Sequence, residues 1–416
     1  MVLGPCTADP VLGTASTTAC HVISIKFVGA TAIAFDRPPT THTMKNGDLA
    51  VPLVAPPKPS SSSSPAGLLM VTAAALLFGV VAAFVKATDM PTLVMLEVRS
   101  ILEWFLGVGV AVLYLYTGGD VAPLPQPEAS LKGLEGTPSG DSSRVLATLL
   151  IGPPNLWGWL LLRAFLYWGF LACWWLALAS MPIGDATTIV YTGPVWTAIF
   201  ANLLLDERID WSFYPIVTLD AIGLALITQP SFLFPRASGT SNDGSYLLGA
   251  LSSLFSAVIA GLIPVCTRKS KECSWTAVNH TSSALAALVF TPAAFLIWFA
   301  LDNTAVDQAV ASLGTLDGST DGGLVKWPLL LGATLTGFAG LALQTLGYQR
   351  EEAARASVMT ILEIPFAYLL QSAVFHDDVT PLGLVGVGLV ACGTMLNLLR
   401  HLQRARCRPS DPLDKA

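Results

Sequence analysis

Charged residues are scarce in this 416-residue chain, where only 12% of residues are Asp, Glu, Lys or Arg and 53% are hydrophobic. The mean hydropathy is correspondingly high, at +0.62. Soluble domains carry about a quarter charged residues, so this composition excludes an ordinary water-soluble protein. No basic stretch of the sequence suggests nucleic acid as a partner. The composition therefore indicates a protein embedded in a lipid bilayer.

Motifs for metals, disulfides and nucleotides are missing as well. The seven cysteines show no Cys-x-x-Cys or mixed His/Cys spacing, so neither a zinc site nor a disulfide framework is predicted. The absence of Walker and Rossmann loops argues against ATP-driven pumping. His280, His376 and the cysteines offer no catalytic spacing. We therefore expect no enzyme, no cofactor and no bound metal.

The first 65 residues differ from the rest of the chain. They mix small and polar residues and end in the Pro/Ser run VAPPKPSSSSSP, which predicts a disordered cytosolic segment over 1–65. The mildly apolar stretch CHVISIKFVGATAIAF is interrupted by Lys26, and no signal peptide is predicted. Met1 and Met44 are both candidate starts of the mature chain.

From residue 66 onward, apolar runs of about 20 residues recur, the length that an α-helix needs to cross a hydrocarbon core of ~30 Å. Ten helices are predicted, at 66–86, 91–116, 156–179, 183–205, 213–229, 245–267, 279–300, 325–346, 356–375 and 380–399. The long connections are a polar segment at 117–152, a linker at 230–244 and an acidic segment at 302–323. Tight connections such as Met181-Pro182 make neighbouring helices antiparallel.

The distribution of Lys and Arg predicts the orientation in the membrane, because positive residues resist translocation. With a cytosolic N-terminus, the cytosolic segments hold seventeen of these residues, and the opposite side holds Lys86, Arg236 and Lys326. Both termini, including a basic tail at 400–416, are therefore predicted to be cytosolic. The N-glycosylation motif Asn279-His280-Thr281 then lies at a cytosolic helix end, where it is not modified. Plasma membrane and internal membranes stay open.

The chain repeats itself after 171 positions. At this offset the following positions align: Pro194 with Pro365, Asp206 with Asp377, Glu207 with Asp378 and, one gap later, Ala221-Ile222-Gly223 with Ala391-Cys392-Gly393. Each half then has five crossings, over 66–229 and 245–399. Because five is odd, the second half is inverted in the membrane. The predicted fold is an all-α integral membrane protein of ten transmembrane helices in two inverted five-helix repeats, as is typical of secondary transporters.

Several residues resemble the EamA-type domain of the drug/metabolite transporter superfamily, present twice over residues 66–400. The resemblance rests on Met-Pro-Ile-Gly-Asp-Ala at 181–186, Pro194, Asp-Glu-Arg at 206–208 and a Gly-rich fifth helix. The chain is most similar to the group-G members of the solute carriers related to nucleotide-sugar transporters. This resemblance implies a secondary-active transporter of an amino acid, a nucleotide sugar or an organic anion. Asp377-Asp378 departs from the Gly-Glu pair usual in the family.

Charged side chains inside the predicted helices mark candidates for the transport path, since each costs at least ~2.5–3.5 kcal/mol near the bilayer centre. Arg99 and Glu103 are four residues apart and share a helix face, whereas Glu97 is predicted to be a solvated residue near the outer end. Arg99 and Arg163 match arginines of the family pattern. A guanidinium facing a cavity suits an anionic or zwitterionic substrate. The alternatives are a helix clasp for Arg99 and snorkelling to the cytosolic headgroups for Arg163.

Buried acids and prolines add further candidates. Glu363 matches the acidic position of the family's second repeat, and with Asp220 and Glu103 it is a candidate for proton coupling. Pro194 and Pro365 each leave a backbone carbonyl without its usual N–H partner. These carbonyls are either substrate ligands or consequences of kinks that only shape packing.

The predicted substrate site joins these groups to aromatic and amide side chains on the same helices. It contains Arg99, Glu103, Arg163, Tyr167, Tyr191, Pro194, Trp196, Gln344, Glu363 and Pro365. The predicted partners are a small-molecule substrate and the lipid bilayer. The run Gly383, Gly386, Gly388 and Gly393 favours helix packing and is compatible with a homodimer. The competing interpretation is a scaffold or receptor that has a transporter fold and moves no solute.

Overall fold

The computed structural model describes residues 65–88, 92–117, 142–234, 243–301, 323–376 and 379–407. Several segments discussed above lie outside the described residues: 1–64, most of 117–152 and 302–323, Asp377-Asp378 and the end of the basic tail.

The described chain is almost entirely helical and contains no strand. Its helices are α1 (Pro65–Thr88), α2 (Thr92–Thr117), α3 (Ser142–Leu150), α4 (Trp157–Ser180), α5 (Ile183–Val190), α6 (Gly193–Leu205), α7 (Phe213–Thr228), α8 (Asp243–Lys269), α9 (Trp275–Leu285), α10 (Thr291–Leu301), α11 (Gly323–Arg350), α12 (Ala353–Met359), α13 (Glu363–Phe375) and α14 (Pro381–Cys407). A π-helical segment joins α9 to α10, and a 3-10 turn joins α12 to α13.

These helices form ten crossings: α1, α2, α4, α5 with α6, α7, α8, α9 with α10, α11, α12 with α13, and α14. Within the described ranges, nine are long and apolar enough to span a bilayer, and α7 is a shorter apolar helix of 16 residues. Large apolar side chains such as Phe105, Leu203 and Leu296 lie exposed on the outside of the bundle. In lipid this exposure has no hydrophobic cost, so the predicted ten-helix membrane fold is confirmed.

The two five-helix halves pack as inverted copies. α1 lies along α11, and its repeat counterpart α8 lies along α4, which is the counterpart of α11. The last helices of the two halves, α7 and α14, pack against each other. Glycines allow this close approach: a Cβ on Gly223 would meet Val390 and the carbonyl of Gly386. A Cβ on Gly393 would meet the carboxylate of Asp220. Gly386 and Gly393 of the glycine run therefore serve helix packing within this chain.

Several predicted boundaries differ from the structure, and the two largest differences lie at 117–152 and at the tail. The segment 117–152 was expected to be a polar loop, but α3 lies within it. The hydroxyls of Ser274 and Thr276 hold this helix by donating to the carbonyl of Leu149, at 3.1 and 2.7 Å. The tail was expected to begin at residue 400, but α14 continues to Cys407 because the Leu-Gln-Arg-Ala-Arg sequence there favours helix.

At equivalent places in the two halves, one crossing is broken next to a proline. In the first half, a turn at Tyr191 and Thr192 separates α5 from α6, and Pro194 is the second residue of α6. In the second half, a 3-10 turn precedes α13, whose third residue is Pro365. Proline has no N–H to donate, so regular helical hydrogen bonding cannot continue through either position. These interruptions bring Tyr191 and Glu363 to the centre of the bundle.

Candidate substrate cavity

A central cavity of about 460 Å³ lies between the two halves. Its lining includes Phe78, Val85, Arg99, Arg163, Tyr167, Phe170, Trp174, Tyr191, Pro194, Thr197, Pro264, Gln344, Tyr348, Ser357, Thr360 and Glu363. A vestibule of about 630 Å³ shares Trp174, Tyr191 and Glu363 with it and extends toward the bundle end that holds Pro182 and Gln229. Both volumes lie in the range of small-molecule sites in proteins.

Arg163 contributes a buried guanidinium to the cavity wall, and its side chain is only 4% exposed. Its Nε donates to Thr267 Oγ1 at 2.9 Å, and its Nη1 donates to Ser282 Oγ at 2.6 Å and to the Val278 carbonyl at 3.3 Å. No carboxylate among the described residues forms an ion pair with it. The snorkelling alternative is therefore wrong, because the side chain binds α8 and α9 rather than reaching the headgroups.

Arg99 forms the predicted pair with Glu103, with 2.6 Å between Nε and Oε1. Gly337 on α11 makes room for this guanidinium, since a Cβ there would lie 2.8 Å from Arg99 Nη2. The pair adds no net charge to the cavity. Glu97 differs from its prediction, because it is half-buried and faces Thr291 on α10 instead of being solvated.

Glu363 lies at the boundary between the central cavity and the vestibule and lines both. The Tyr191 side chain lies next to its carboxylate. The other acid of the vestibule, Asp185, is fixed differently: it accepts from the backbone N–H and the hydroxyl of Ser231 and from Tyr246 at 3.0 Å. Asp185 thereby joins the ends of three crossings, whereas Glu363 faces the cavities.

Eight of the ten predicted site residues line the central cavity or the small chamber described next. Trp196 and Pro365 line none of the described cavities. Trp196 packs against Gly261 on α8, and Pro365 is buried within the bundle. Trp196 follows Pro194 by two residues and Pro365 follows Glu363 by two, so each side chain lies about 200° around the helix from that lining residue. Asp220, a candidate for proton coupling, is buried between α7 and α14 and also lines no described cavity.

A chamber of about 30 Å³ adjoins the central cavity between α2, α4 and α9. The two spaces share Arg99, Arg163 and Tyr167, and the chamber is also lined by Ser100, Glu103, Asn279, Ser282, Ser283 and Ala286. Sequence reasoning considered Asn279 only as a glycosylation acceptor, yet it is 6% exposed inside α9. The spacing of the α9 residues, i, i+3, i+4 and i+7, marks one helix face and was the signal that could have identified them.

The opposite end of the bundle is closed by an ion pair. Glu207, which follows α6, lies with its Oε1 3.3 Å from Arg268 Nε at the end of α8. Its Oε2 accepts from the backbone N–H of Ala353 at 2.9 Å, and Arg268 Nη1 donates to the Gln349 carbonyl at 2.6 Å. Burial raises the pKa of Glu207, while Arg268 acts in the opposite direction. We call these four residues the latch, and this end of the bundle the latched end.

A family model described as the EamA-like transporter family matches residues 144–229 and 247–399, more than half of the chain. The chain belongs to the EamA-like transporter family. The described residues of this EamA-like chain contain no group of three or more His, Cys, Asp or Glu side chains that could hold a metal ion.

Named relatives agree with this assignment. Solute carrier family 35 member G1 of Mus musculus is 28% identical over 266 residues, covering 62% of this chain and 67% of that protein. Pseudopaline exporter CntI of Pseudomonas aeruginosa is 26% identical over 213 residues, covering 50% and 63%. A solved crystal structure has the same fold, with a TM-score of 0.55 at 15% identity over 82% of this chain and 99% of the other. The chain thus spans about two thirds of the length of these named relatives.

Proposed function

We propose that this protein is a secondary-active transporter of a small organic metabolite that carries a carboxylate, of the amino-acid or organic-anion class. The observation that carries this proposal is Arg163, a buried guanidinium in the cavity wall without an acidic partner among the described residues. In a medium of low dielectric constant, an uncompensated positive charge favours a ligand of opposite charge. The membership of the family and the named relatives support transport as the activity.

The remaining cavity lining suits an organic solute. Phe170, Trp174, Tyr191 and Tyr348 provide aromatic surface, and Gln344 provides an amide. Pockets that bind small molecules are typically lined in this way, by apolar and aromatic groups with a few polar ones. The size and chemistry of the cavity therefore support a metabolite that combines a carboxylate with an apolar body.

The architecture supports alternating access. The cavity lies between two inverted halves, and the vestibule extends from it toward one end while the latch closes the other. The latched end also carries basic residues, among them Arg208, Lys269, Lys271 and Arg400, so the preference of positive residues for the cytosol predicts that it is the cytosolic end. We expect the described state to be accessible from the opposite side.

Glu363 is the group that we propose to couple transport to protons. Its carboxylate lies between cavity and vestibule, where a change in access moves it from one solution to the other. A carboxyl group that binds a proton on one side and releases it on the other couples the two fluxes. Glu103 is a weaker candidate because it is already paired with Arg99.

Reconstitution tests this function. Purified protein in liposomes is offered amino acids, organic anions and nucleotide sugars, with and without a pH gradient. We expect saturable flux of a carboxylate compound that depends on the gradient, and loss of this dependence in Glu363→Gln. Flux of nucleotide sugars alone would overturn the substrate class. Flux that is indifferent to the gradient, with Glu363→Gln fully active, would remove proton coupling. Partner binding without any flux would favour the scaffold or receptor interpretation.

A further inference from the structure

We propose that the chamber between α2, α4 and α9 is the subsite that holds the substrate carboxylate, and that Asn279 selects a carboxylate over a neutral group. This inference deepens the proposed function and rests on it. The chamber is distinguished by its volume, its charge and its unpaired donors.

The volume of the chamber fits a carboxylate group. A water-sized group occupies about 10–15 Å³ on this measure, so about 30 Å³ holds roughly two such groups, as many as a carboxylate has oxygens. The chamber shares Arg99, Arg163 and Tyr167 with the central cavity. A ligand can therefore insert its carboxylate between these side chains while its body stays in the larger space.

Asn279 provides a donor that the described protein groups leave unpaired. The side chain is 6% exposed, and its Oδ1 accepts from the Thr345 hydroxyl at 2.9 Å. Its Nδ2 is buried and has no hydrogen-bond partner among the described groups. A buried N–H without an acceptor is unfavourable, so a ligand atom that accepts from it binds at a ready-made position. A carboxylate oxygen is such an acceptor, and an ammonium group is not.

The charge of the chamber also favours a carboxylate. Arg99 and Glu103 neutralise each other at 2.6 Å, which leaves the Arg163 guanidinium as the net charge. Nε and Nη1 of Arg163 bind Thr267, Ser282 and Val278, and none of the described hydrogen bonds uses Nη2. The chamber thus has a net charge of one positive unit and two kinds of donor. It favours an oxyanion and disfavours a metal cation.

Two serines of α9 that line the chamber act on the protein itself. Ser283 donates to the backbone of α9, and Ser282 donates to the Val278 carbonyl while it accepts from Arg163. Since these two hydroxyl hydrogens are committed, Asn279 is the side chain of α9 that has a buried donor left for the ligand, and Arg163 supplies the charge. Arg163 also connects three helices, which makes Asn279 the better residue for a test of specificity.

The experiment uses matched pairs of ligands on the full-length protein. L-amino acids and small carboxylic acids are each compared with their carboxamides, in which a neutral group of similar shape replaces the carboxylate. Thermal stabilisation of purified protein reports binding, and flux into liposomes gives KM and maximal rate. For the wild type we expect the acid to be preferred over its amide by about tenfold or more, the usual effect of hydrogen bonds to a charged group.

Asn279→Asp is the decisive variant, because it preserves shape while it adds a negative charge and removes the donor. We expect its KM for the acid to rise at least about tenfold and its preference to shift toward the amide. Asn279→Ala removes the donor without adding a charge and decides the question if Asn279→Asp fails to fold. The matched control is Asn397→Asp, a buried amide on α14 that donates to the Arg355 carbonyl and lines no described cavity. It should lose stability but retain the preference for the acid.

The outcomes separate this inference from the proposed function. If the wild type takes acid and amide equally well, or if both Asn279 variants keep the wild-type preference, the chamber holds water only and the inference is wrong while transport stands. A preference for the acid in binding, lost in the Asn279 variants but without any flux, supports the subsite and overturns transport. Absence of both binding and flux for every pair overturns both proposals.

Discussion

At the scale of single residues, Asp220 is an acid buried among apolar groups, and its repeat counterpart Val390 is apolar. Asp220 is fully buried, and both of its carboxylate oxygens lack a hydrogen-bond partner among the described groups. It packs against Gly393, just as Val390 packs against Gly223 in the other half. Because the repeat aligns Asp220 with Val390, the acid occupies a position that is apolar in its counterpart. Asp220 therefore has an apolar environment that suits a valine side chain.

Replacing Asp220 by valine should stabilise the protein. Removal of a buried polar group without partners gains about 1–3 kcal/mol, and the equivalent Val390 shows that the position accepts this shape. The measurement is the thermal unfolding temperature in detergent, with Asp220→Asn as the control that retains a polar group and should gain little. Since Asp220 lines no described cavity, KM should not change. Loss of pH-driven uptake in Asp220→Val would instead restore the coupling role.

At the scale of helices, the sequence predicts what is local and misses what depends on packing. Apolar runs of membrane-spanning length identified all ten crossings, because length and composition alone decide whether a helix can lie in lipid. Which face of a helix meets the cavity depends on its neighbours. Trp196 is predicted as a site residue because it is an aromatic near Pro194, and Pro365 because of the carbonyl that it leaves unpaired. Neither side chain lines a described cavity. Asn279 is missed because the polar face of α9 becomes part of a chamber only where α2 and α4 pack against it.

The turn between α11 and α12 contains a buried acid at the latched end. Glu351 is 1% exposed, its Oε1 accepts from the Glu352 N–H at 3.2 Å, and His401 Nε2 lies 3.5 Å from its Oε2. Burial raises the pKa of Glu351 to about 7, in spite of the charges of Arg355 and Arg268 nearby. In the unfolded chain the same carboxyl has its ordinary pKa of 4.5. Folding therefore favours the protonated form of Glu351.

This difference predicts a dependence of stability on pH. Below about 4.5 the carboxyl is protonated in both states, and between about 4.5 and about 7 only the folded protein keeps the proton, so the free energy of unfolding falls as pH rises through this window. Thermal unfolding should thus show lower stability at pH 8 than at pH 5, and less difference in Glu351→Gln.

Two comparisons assign the pH effect to Glu351. Glu352→Gln, which changes a more exposed neighbour, should leave the pH dependence in place. Repeating the series in a His401→Gln background removes the imidazole that lies next to the carboxylate. A pH dependence that is equally large in Glu351→Gln would show that another group causes it.

At the scale of the whole molecule, two inverted halves enclose a cavity that is latched at one end. The latch joins α6 of the first half to α8, α11 and α12 of the second half, so it connects elements that have to separate if access changes sides. The repeat aligns Glu207 with Asp378, which lies outside the described residues. If the halves exchange conformations, the latch contacts belong to only one of the two states.

Weakening the latch should therefore shift the population toward the opposite state. Cys266, on α8 beside Arg163, is 1% exposed and reports on opening through its rate of reaction with a thiol reagent. Loss of the Glu207–Arg268 pair in Arg268→Gln should raise this rate about tenfold, which corresponds to ~1.4 kcal/mol. Arg355→Gln is the matched control, because the 3.2 Å pair of Arg355 with Glu352 lies within one helix end and joins no separate crossings.

If both variants label Cys266 at the wild-type rate, the pair does not hold this end closed. If both accelerate labelling equally, the effect is a general loss of stability, whereas acceleration in Arg268→Gln alone identifies a contact that distinguishes the two states of the carrier.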